Sequence, residues 1–294
     1  LRIIRIIETP EFPVFVPAQP ESCPTGAHRA GSGASANPLP AAAPRSAIEA
    51  GAATRSHASA LAFDEAGAAS LHALHMLAGA TLAAIAAATA SARIEQLPRD
   101  ARIFAQGSLA RRACAVVTGS VRIVQTGCDG GQIICCFAAR GESFGIAAMF
   151  NDARHSGDAI AVQPCTIASW SKAQLLDLIE ASPRIAINLI GSVGHCLVES
   201  HNRVRELATQ RCEQRIAHTL LRLAGQAGRD AAGHRAITIP LRRRDVAETA
   251  GTTLHTASRA LAAWEKCGLL ATCEQQLLIH DMPALARIAH GDAA

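Results

Sequence analysis

Between residues 241 and 270 (LRRRDVAETAGTTLHTASRALAAWEKCGLL) the chain concentrates side chains that suit contact with nucleic acid. Arg242, Arg243 and Arg244 are consecutive. A run of guanidinium groups fits the phosphate backbone, where contacts position a protein without reading sequence. Further on stand Thr252, Thr253, His255, Thr256, Ser258 and Arg259, all hydrogen-bonding types. Arginine can bond both acceptors of guanine in the major groove, and serine or threonine can bond to either partner of a base pair. The sequence holds no nucleophile–base motif, metal-ligand spacing or phosphate-cradling loop, so an enzyme is not expected.

Such groups reach base edges only from a short, rigid element. Val246, Ala247 and Ala250 fall on one side of a helix predicted over about 243–250. Ala257, Leu261 and Trp264 recur at helical spacing over about 254–266. Between them lies Gly251-Thr252-Thr253, where glycine permits a tight reversal and Thr253 can cap the incoming helix. Two helices joined by a short glycine-containing turn describe a helix-turn-helix, whose second helix enters the major groove of double-stranded DNA. On spacing alone, an ordinary pair of packed surface helices remains the alternative.

The charge distribution agrees with a DNA partner. The whole chain has 28 Lys+Arg and 24 Asp+Glu, net +4, and the segment from 201 to the end, with 13 basic and 9 acidic residues, holds all of that excess. Within 201–270 the ratio is 12 to 6. A local basic excess attracts the phosphate backbone whatever its sequence. With 3% aromatic content, two Trp and no Tyr, single-strand binding by base stacking is not expected.

The stretch Thr253-Leu254-His255-Thr256-Ala257-Ser258-Arg259-Ala260-Leu261, then Trp264 and Gly268-Leu269-Leu270, resembles the recognition helix and wing of the Crp/Fnr transcription regulators. By this resemblance Ser258 and Arg259 read base edges, and Leu277-Leu278-Ile279 is the last strand of the wing. Many members hold a glutamate where this chain has His255. Glutamate accepts from cytosine, so a different target sequence is implied. The likeness extends over roughly 75–285. Short apolar runs at 103–104, 115–117, 121–124 and 133–137 alternate with Gly107, Gly119, Gly127, an Asp129-Gly130-Gly131 hairpin turn, Gly141 and Gly145. That pattern predicts an all-β sandwich or barrel, and its order is similar to the family's cyclic-nucleotide-binding-type jelly roll.

Members that bind cyclic nucleotides hold the ribose with a glutamate and the phosphate with an arginine. Here the candidate effector residues are Gly145, Ile146, Arg154, His155 and Ser156. Ile146 stands at the glutamate position, and the arginine position falls near His155, with Arg154 one residue away. Isoleucine accepts no hydrogen bond and neutral histidine offers no bidentate clasp, which argues against cyclic AMP. The barrel holds another effector or serves as a scaffold, and the cofactor, if any, is unknown.

Ten cysteines raise redox and metal readings, yet none forms Cys-x-x-Cys, and Cys23 alone lies near the N-terminus. The cysteine cluster of iron–sulfur relatives is therefore absent. Cys135 and Cys136 adjoin on a predicted strand. Strict alternation sends their sulfurs to opposite faces, with Ile133, Cys135 and Phe137 on one side and Ile134 and Cys136 on the other. Buried thiols acting as small hydrophobes are the default expectation. Cys128, in a turn, is the candidate oxidisable thiol, and His155 is a candidate haem ligand beside its plainer reading as a hydrogen-bonded structural histidine.

From Pro183 to about Leu207 a long helix is predicted, with Ala186, Ile190, Val193, Leu197, Val204 and Leu207 forming a stripe that His201 interrupts. Such a seam suits a parallel homodimer; packing on its own barrel alone is the alternative. Residues 214–224 predict the first helix of the DNA-binding domain, and 235–240 a short strand. Residues 17–60 are rich in Ala, Pro, Gly and Ser and predict disorder. The apolar pieces in 1–16 are too short and broken for a signal peptide, and the missing initial Met points to an alternative or misplaced start. The uncharged 67–92 stretch is mainly alanine, which partitions weakly into a membrane. The family resemblance implies an amphipathic helix packed beside the barrel there, with Leu77, Leu82 and Ile85 inward, rather than a membrane span.

The expected class is α+β. Residues 1–68 form a disordered extension, 69–180 an effector-sensing β jelly roll, 181–210 a dimerisation helix and 211–294 a winged helix-turn-helix. The expected function is sequence-specific transcription regulation of the Crp/Fnr type in the cytoplasm, with RNA polymerase a further candidate partner and no membrane contact. The alternatives are a cyclic-nucleotide-binding module without DNA contact and a haem- or redox-sensing regulator.

Overall fold

The computed structural model describes residues 71–291, apart from 152, 232, 233, 274 and 275. The expected extension over 1–68 lies outside the described residues. After a 3-10 turn at His75–Leu77 and helix α1 (Leu82–Ser91), eight strands build the jelly roll. These are β1 (Arg93–Leu97), β2 (Arg102–Phe104), β3 (Arg112–Thr118), β4 (Val121–Thr126), β5 (Gln132–Ala138), β6 (Ser143–Phe144), β7 (Asp158–Ala161) and β8 (Cys165–Ser171), with a short helix α2 (Ile146–Phe150) after β6. They pair antiparallel in two sheets, ordered β1-β8-β3-β6 and β2-β7-β4-β5.

Strand β3 shows why the layers hold. All of Ala113 to Val117 is buried, yet the run divides with period two. Ala113, Ala115 and Val117 pack with α1 and with Trp170, whereas Cys114 and Val116 join the cluster between the sheets. Trp170 is fully buried and its indole donates to the Ala88 carbonyl at 2.9 Å, tying β8 to α1. At the β3–β4 turn Gly119 has φ +85°, and a Cβ there would lie 2.6 Å from the Cys165 Cβ. Only glycine fits.

Two expectations about this region are corrected. Over the described residues 71–92 the chain is not one helix with Leu77, Leu82 and Ile85 all inward. Leu77 belongs to the 3-10 turn and is buried, α1 begins after the Thr81 cap, and its inward face is Ala84, Ile85 and Ala88. Leu82, roughly a third of a turn away from that face, is 78% exposed. Strict alternation also fails along β5. Val124 pairs with Ile134 and Ile123 with Cys136, so Cys135 is an extra residue opposite no partner. This β-bulge brings Ile134 and Phe137 to the same buried side, three residues apart.

Helix α3 (Lys172–Ala181) leads into α4 (Arg184–Thr209), whose 26 residues extend about 39 Å at the usual rise. Pro183 caps it without needing an amide donor. One flank meets the barrel: Ile185 and Leu189 are buried, and Arg203 donates to the Ile134 and Cys135 carbonyls at 2.7 Å each. On the other side Ile187, Ile190, Val193, Leu197 and Val204 are exposed, Ile190 by 70%. Among the described residues no helix is long and apolar enough to cross a membrane.

The C-terminal region contains α5 (Cys212–Ala227), β9 (Gly228–Ala231), β10 (His234–Ile237), α6 (Arg243–Ala250), α7 (Leu254–Lys266), β11 (Leu270–Cys273), β12 (Gln276–Ile279) and α8 (Met282–His290). The strands form a sheet ordered β11-β12-β10-β9. The strand expected over 235–240 stops at Ile237, because the Thr238 amide turns to the Ala227 carbonyl. Ile216, Leu220, Val246, Leu261 and Trp264 share a core that continues into the barrel through Val124, Ile134 and Phe137.

Candidate nucleic-acid interface

Helix α6 starts at Arg242, whose amide donates to Asp245 Oδ2 at 2.8 Å. A carboxylate at this position satisfies an orphan amide and complements the helix dipole. The same buried carboxylate takes a 2.8 Å bond from Arg122 Nη1 on β4, so one side chain both caps the helix and fastens it to the barrel. Helix α6 ends at Gly251, φ +62°, where a Cβ would approach Leu207 Cδ2 of α4 to 2.7 Å. Thr253 then caps α7, accepting from the Thr256 amide at 3.2 Å, as its position in the sequence predicts.

Arg215 of α5 holds the turn. Its guanidinium donates to the Ala250, Gly251 and Gln210 carbonyls at 2.9, 2.9 and 3.0 Å. Sequence reasoning missed this residue. An arginine near the start of an amphipathic helix, 35 and 36 residues from its two partners in the turn, carries no local signal of such a role.

The predicted contact residues divide into two groups. On α7, His255 and Arg259 are exposed and Ser258 and Thr256 half-buried; at the turn Thr253 is exposed and Thr252 half-buried. The polar face expected to meet bases is therefore outward, with Ala257, Leu261 and Trp264 beneath it. The three arginines do not present a common face. Arg242 reaches Asp100 of the barrel at 3.3 Å, and Arg244 pairs with Glu248 at 2.6 Å and touches Gln132 at 3.5 Å. The Glu248 bond holds the Arg244 guanidinium above its ordinary pKa. Arg243 joins the two helices, donating to the Ser258 carbonyl at 2.9 Å and to Glu265 at 2.8 Å. A cleft beside the turn has Gln132 and Ile133 of β5 on one wall and Glu248, Thr252 and Thr256 on the other.

The candidate effector residues occupy the α2 corner of the barrel. Gly145 is the left-handed N-cap of α2, and Ile146 packs in the core with Met149 and Trp170. His155 is 6% exposed, and its ring stacks on Phe104 with centroids 3.6 Å apart. Burial lowers its pKa, so the imidazole is neutral at pH 7. Gly145 sits beside both rings. Arg154 and Ser156 are exposed, and Arg154 donates to the Gly107 carbonyl at 2.7 Å. The structure thus gathers Gly145, Ile146 and His155 and leaves Arg154 and Ser156 outside.

Residues 94–182 match the model of the cyclic nucleotide-binding domain, and residues 214–288 that of the Crp-like helix-turn-helix domain. Together they span more than half of the chain. The chain belongs to the Crp/Fnr family. Among its relatives is the CRP-like cAMP-activated global transcriptional regulator of Mycobacterium tuberculosis, 26% identical over 211 residues, 72% of this chain and 94% of that protein. The nitrogen fixation regulation protein FixK of Azorhizobium caulinodans is 28% identical over 192 residues, covering 65% and 76%. FixK2 from Bradyrhizobium japonicum shares the fold, with a TM-score of 0.60 at 24% identity over 69% of this chain and 98% of that one. In Crp/Fnr terms, the barrel, the long helix and the winged helix-turn-helix occur here in the expected order.

Proposed function

We propose that this Crp/Fnr protein is a homodimeric, sequence-specific DNA-binding transcription regulator of the cytoplasm, acting at promoters together with RNA polymerase. The observation that carries the reading is the outward polar face of α7, with Arg259 exposed on a helix that Thr253 caps and Arg215 and Arg243 hold in place. Arg259 and Ser258 read base edges, while His255, Thr256, Thr252 and Thr253 contact bases or backbone nearby. Arg242, Arg243 and Arg244 supply positive potential behind the turn. The relatives are transcription regulators, in keeping with a non-enzymatic role.

The exposed stripe of α4 supports dimerisation, since Ile187, Ile190, Leu197 and Val204 recur at helical spacing with nothing covering them among the described residues. A twofold axis along α4 presents two α7 helices to half-sites about 34 Å apart on one face of the duplex. The 69–180 barrel senses the signal, 181–210 couples the copies and 211–294 binds DNA. Neutral, stacked His155 and core-packed Ile146 provide neither a phosphate clamp nor a ribose acceptor, so the signal differs from cyclic AMP.

Anisotropy titration against duplexes selected by genome-wide binding tests this reading. Arg259→Ala should weaken the selected site by about 1–3 kcal/mol per half-site and leave random duplex nearly unaffected. Equal losses on both duplexes, or a monomer in sedimentation, would overturn the proposal.

A further inference from the structure

The C-terminal sheet carries a pair of histidines that the DNA-binding reading does not use. Strand β10 begins at His234, and His280 directly follows β12. Arg235 lies opposite Ile279 in that antiparallel pair, so the next positions outward, 234 and 280, face each other on one side of the sheet. The two Nδ1 atoms are 3.0 Å apart, and the rings are perpendicular with centroids 4.2 Å apart. An end-to-end hydrogen bond of that length would hold the centroids farther apart, so the rings stand edge to face. Both residues are half-buried, which leaves the pair open to solvent.

We propose that His234 and His280 chelate a divalent transition-metal ion of tetragonal preference, nickel(II) or copper(II), through their two Nδ1 atoms. Neutral imidazole is a favoured donor to such ions. The spacing selects among them. Two metal–nitrogen bonds of about 2.05 Å across a 3.0 Å gap subtend about 94°, close to the right angle between neighbouring ligands of a tetragonal ion. A tetrahedral ion such as zinc needs its nitrogens spread wider. The ion replaces the single hydrogen bond between the rings. A turn of each imidazole about χ2, a broad torsion, brings both lone pairs onto it. Each ring then carries its one ring proton on Nε2. Water supplies the remaining positions, since among the described residues no third His, Cys, Asp or Glu clusters with the pair. His280 leads from β12 into Asp281, whose carboxylate caps α8. The ion therefore ties β10 to the junction between the β11–β12 hairpin and the last helix.

The site stands apart from the DNA-binding reading, because its readout involves no DNA. Nickel(II) is the probe of choice, since copper(II) oxidises thiols and the chain has 10 cysteines. Full-length protein is titrated anaerobically at neutral pH with a small excess of nickel chloride and followed by proton NMR. A paramagnetic ion shifts the Nε2–H protons of the imidazoles bound to it far outside the ordinary range, and nickel held by thiolates gives no such signal. Expected are two shifted, solvent-exchangeable resonances of equal intensity. His234→Ala and His280→Ala should each remove both, because one imidazole alone does not retain the ion under these conditions. Absence of shifted resonances from the wild-type protein, or shifted resonances that survive either substitution, would overturn the proposal. Nickel-soaked crystals of the wild-type protein decide the matter should a variant fail to fold. An anomalous difference peak between the two rings supports the chelate, and a featureless map there refutes it.

Discussion

Helix α6 commits its polar side chains to partners within the protein, whereas α7, joined to it by a single turn, leaves its polar face outward. Asp245 is buried between the α6 N-terminus and Arg122, Arg242 reaches Asp100, Arg243 crosses to α7 and Arg244 folds onto Glu248. Arg259 and His255, by contrast, are exposed on a helix whose apolar side is packed. Four consecutive charged residues in a basic run are therefore not four equivalent DNA contacts. In the proposed function the first helix is a positioning device and the second the reading head.

The comparison can be broken at its most buried point. Asp245→Ala removes a cap and leaves the half-buried Arg122 guanidinium only its longer, 3.6 Å pairing with Asp100, so unfolding free energy should fall by about 3–5 kcal/mol, measured by urea denaturation. Arg215→Ala, which frees two carbonyls at the turn and that of Gln210 after α4, should cost about 1.5–3 kcal/mol in the same assay, charge-assisted bonds being the stronger kind. Arg244→Ala should cost only about 0.2–1 kcal/mol, because its ion pair is largely solvated. Arg259→Ala should leave the unfolding free energy within about 0.5 kcal/mol of the parent despite its loss of DNA affinity. A destabilisation by Arg259→Ala as large as that by Asp245→Ala would erase the distinction between the helices.

The helix-turn-helix was legible because its determinants are local. Gly251, the Thr253 cap and the apolar triads of α6 and α7 lie within one short window, and each acts on neighbours a few residues away. The strands of the barrel were legible for the same reason, through apolar runs cut by glycine turns. What escaped sequence reasoning depends on distant partners. Asp245 and Arg122 are 123 residues apart, and nothing in the run of arginines indicates that its aspartate faces a barrel strand. The bulge at Cys135 is set by how β5 registers with β4, which alternation along one strand cannot reveal. Leu82, expected inward by the family resemblance, is exposed because the break between the 3-10 turn and α1 shifts the phase of everything after it.

Leu207 near the end of α4 presses where Gly251 has no side chain. Any tilt or roll of the long helix must carry that methyl group into the backbone of the turn or away from it. The proposed dimer axle and groove-reading helix thus touch closely at this point. A larger residue at 251 would act as a wedge and, in the proposed dimer, reset the pitch at which the two DNA-facing ends address the duplex.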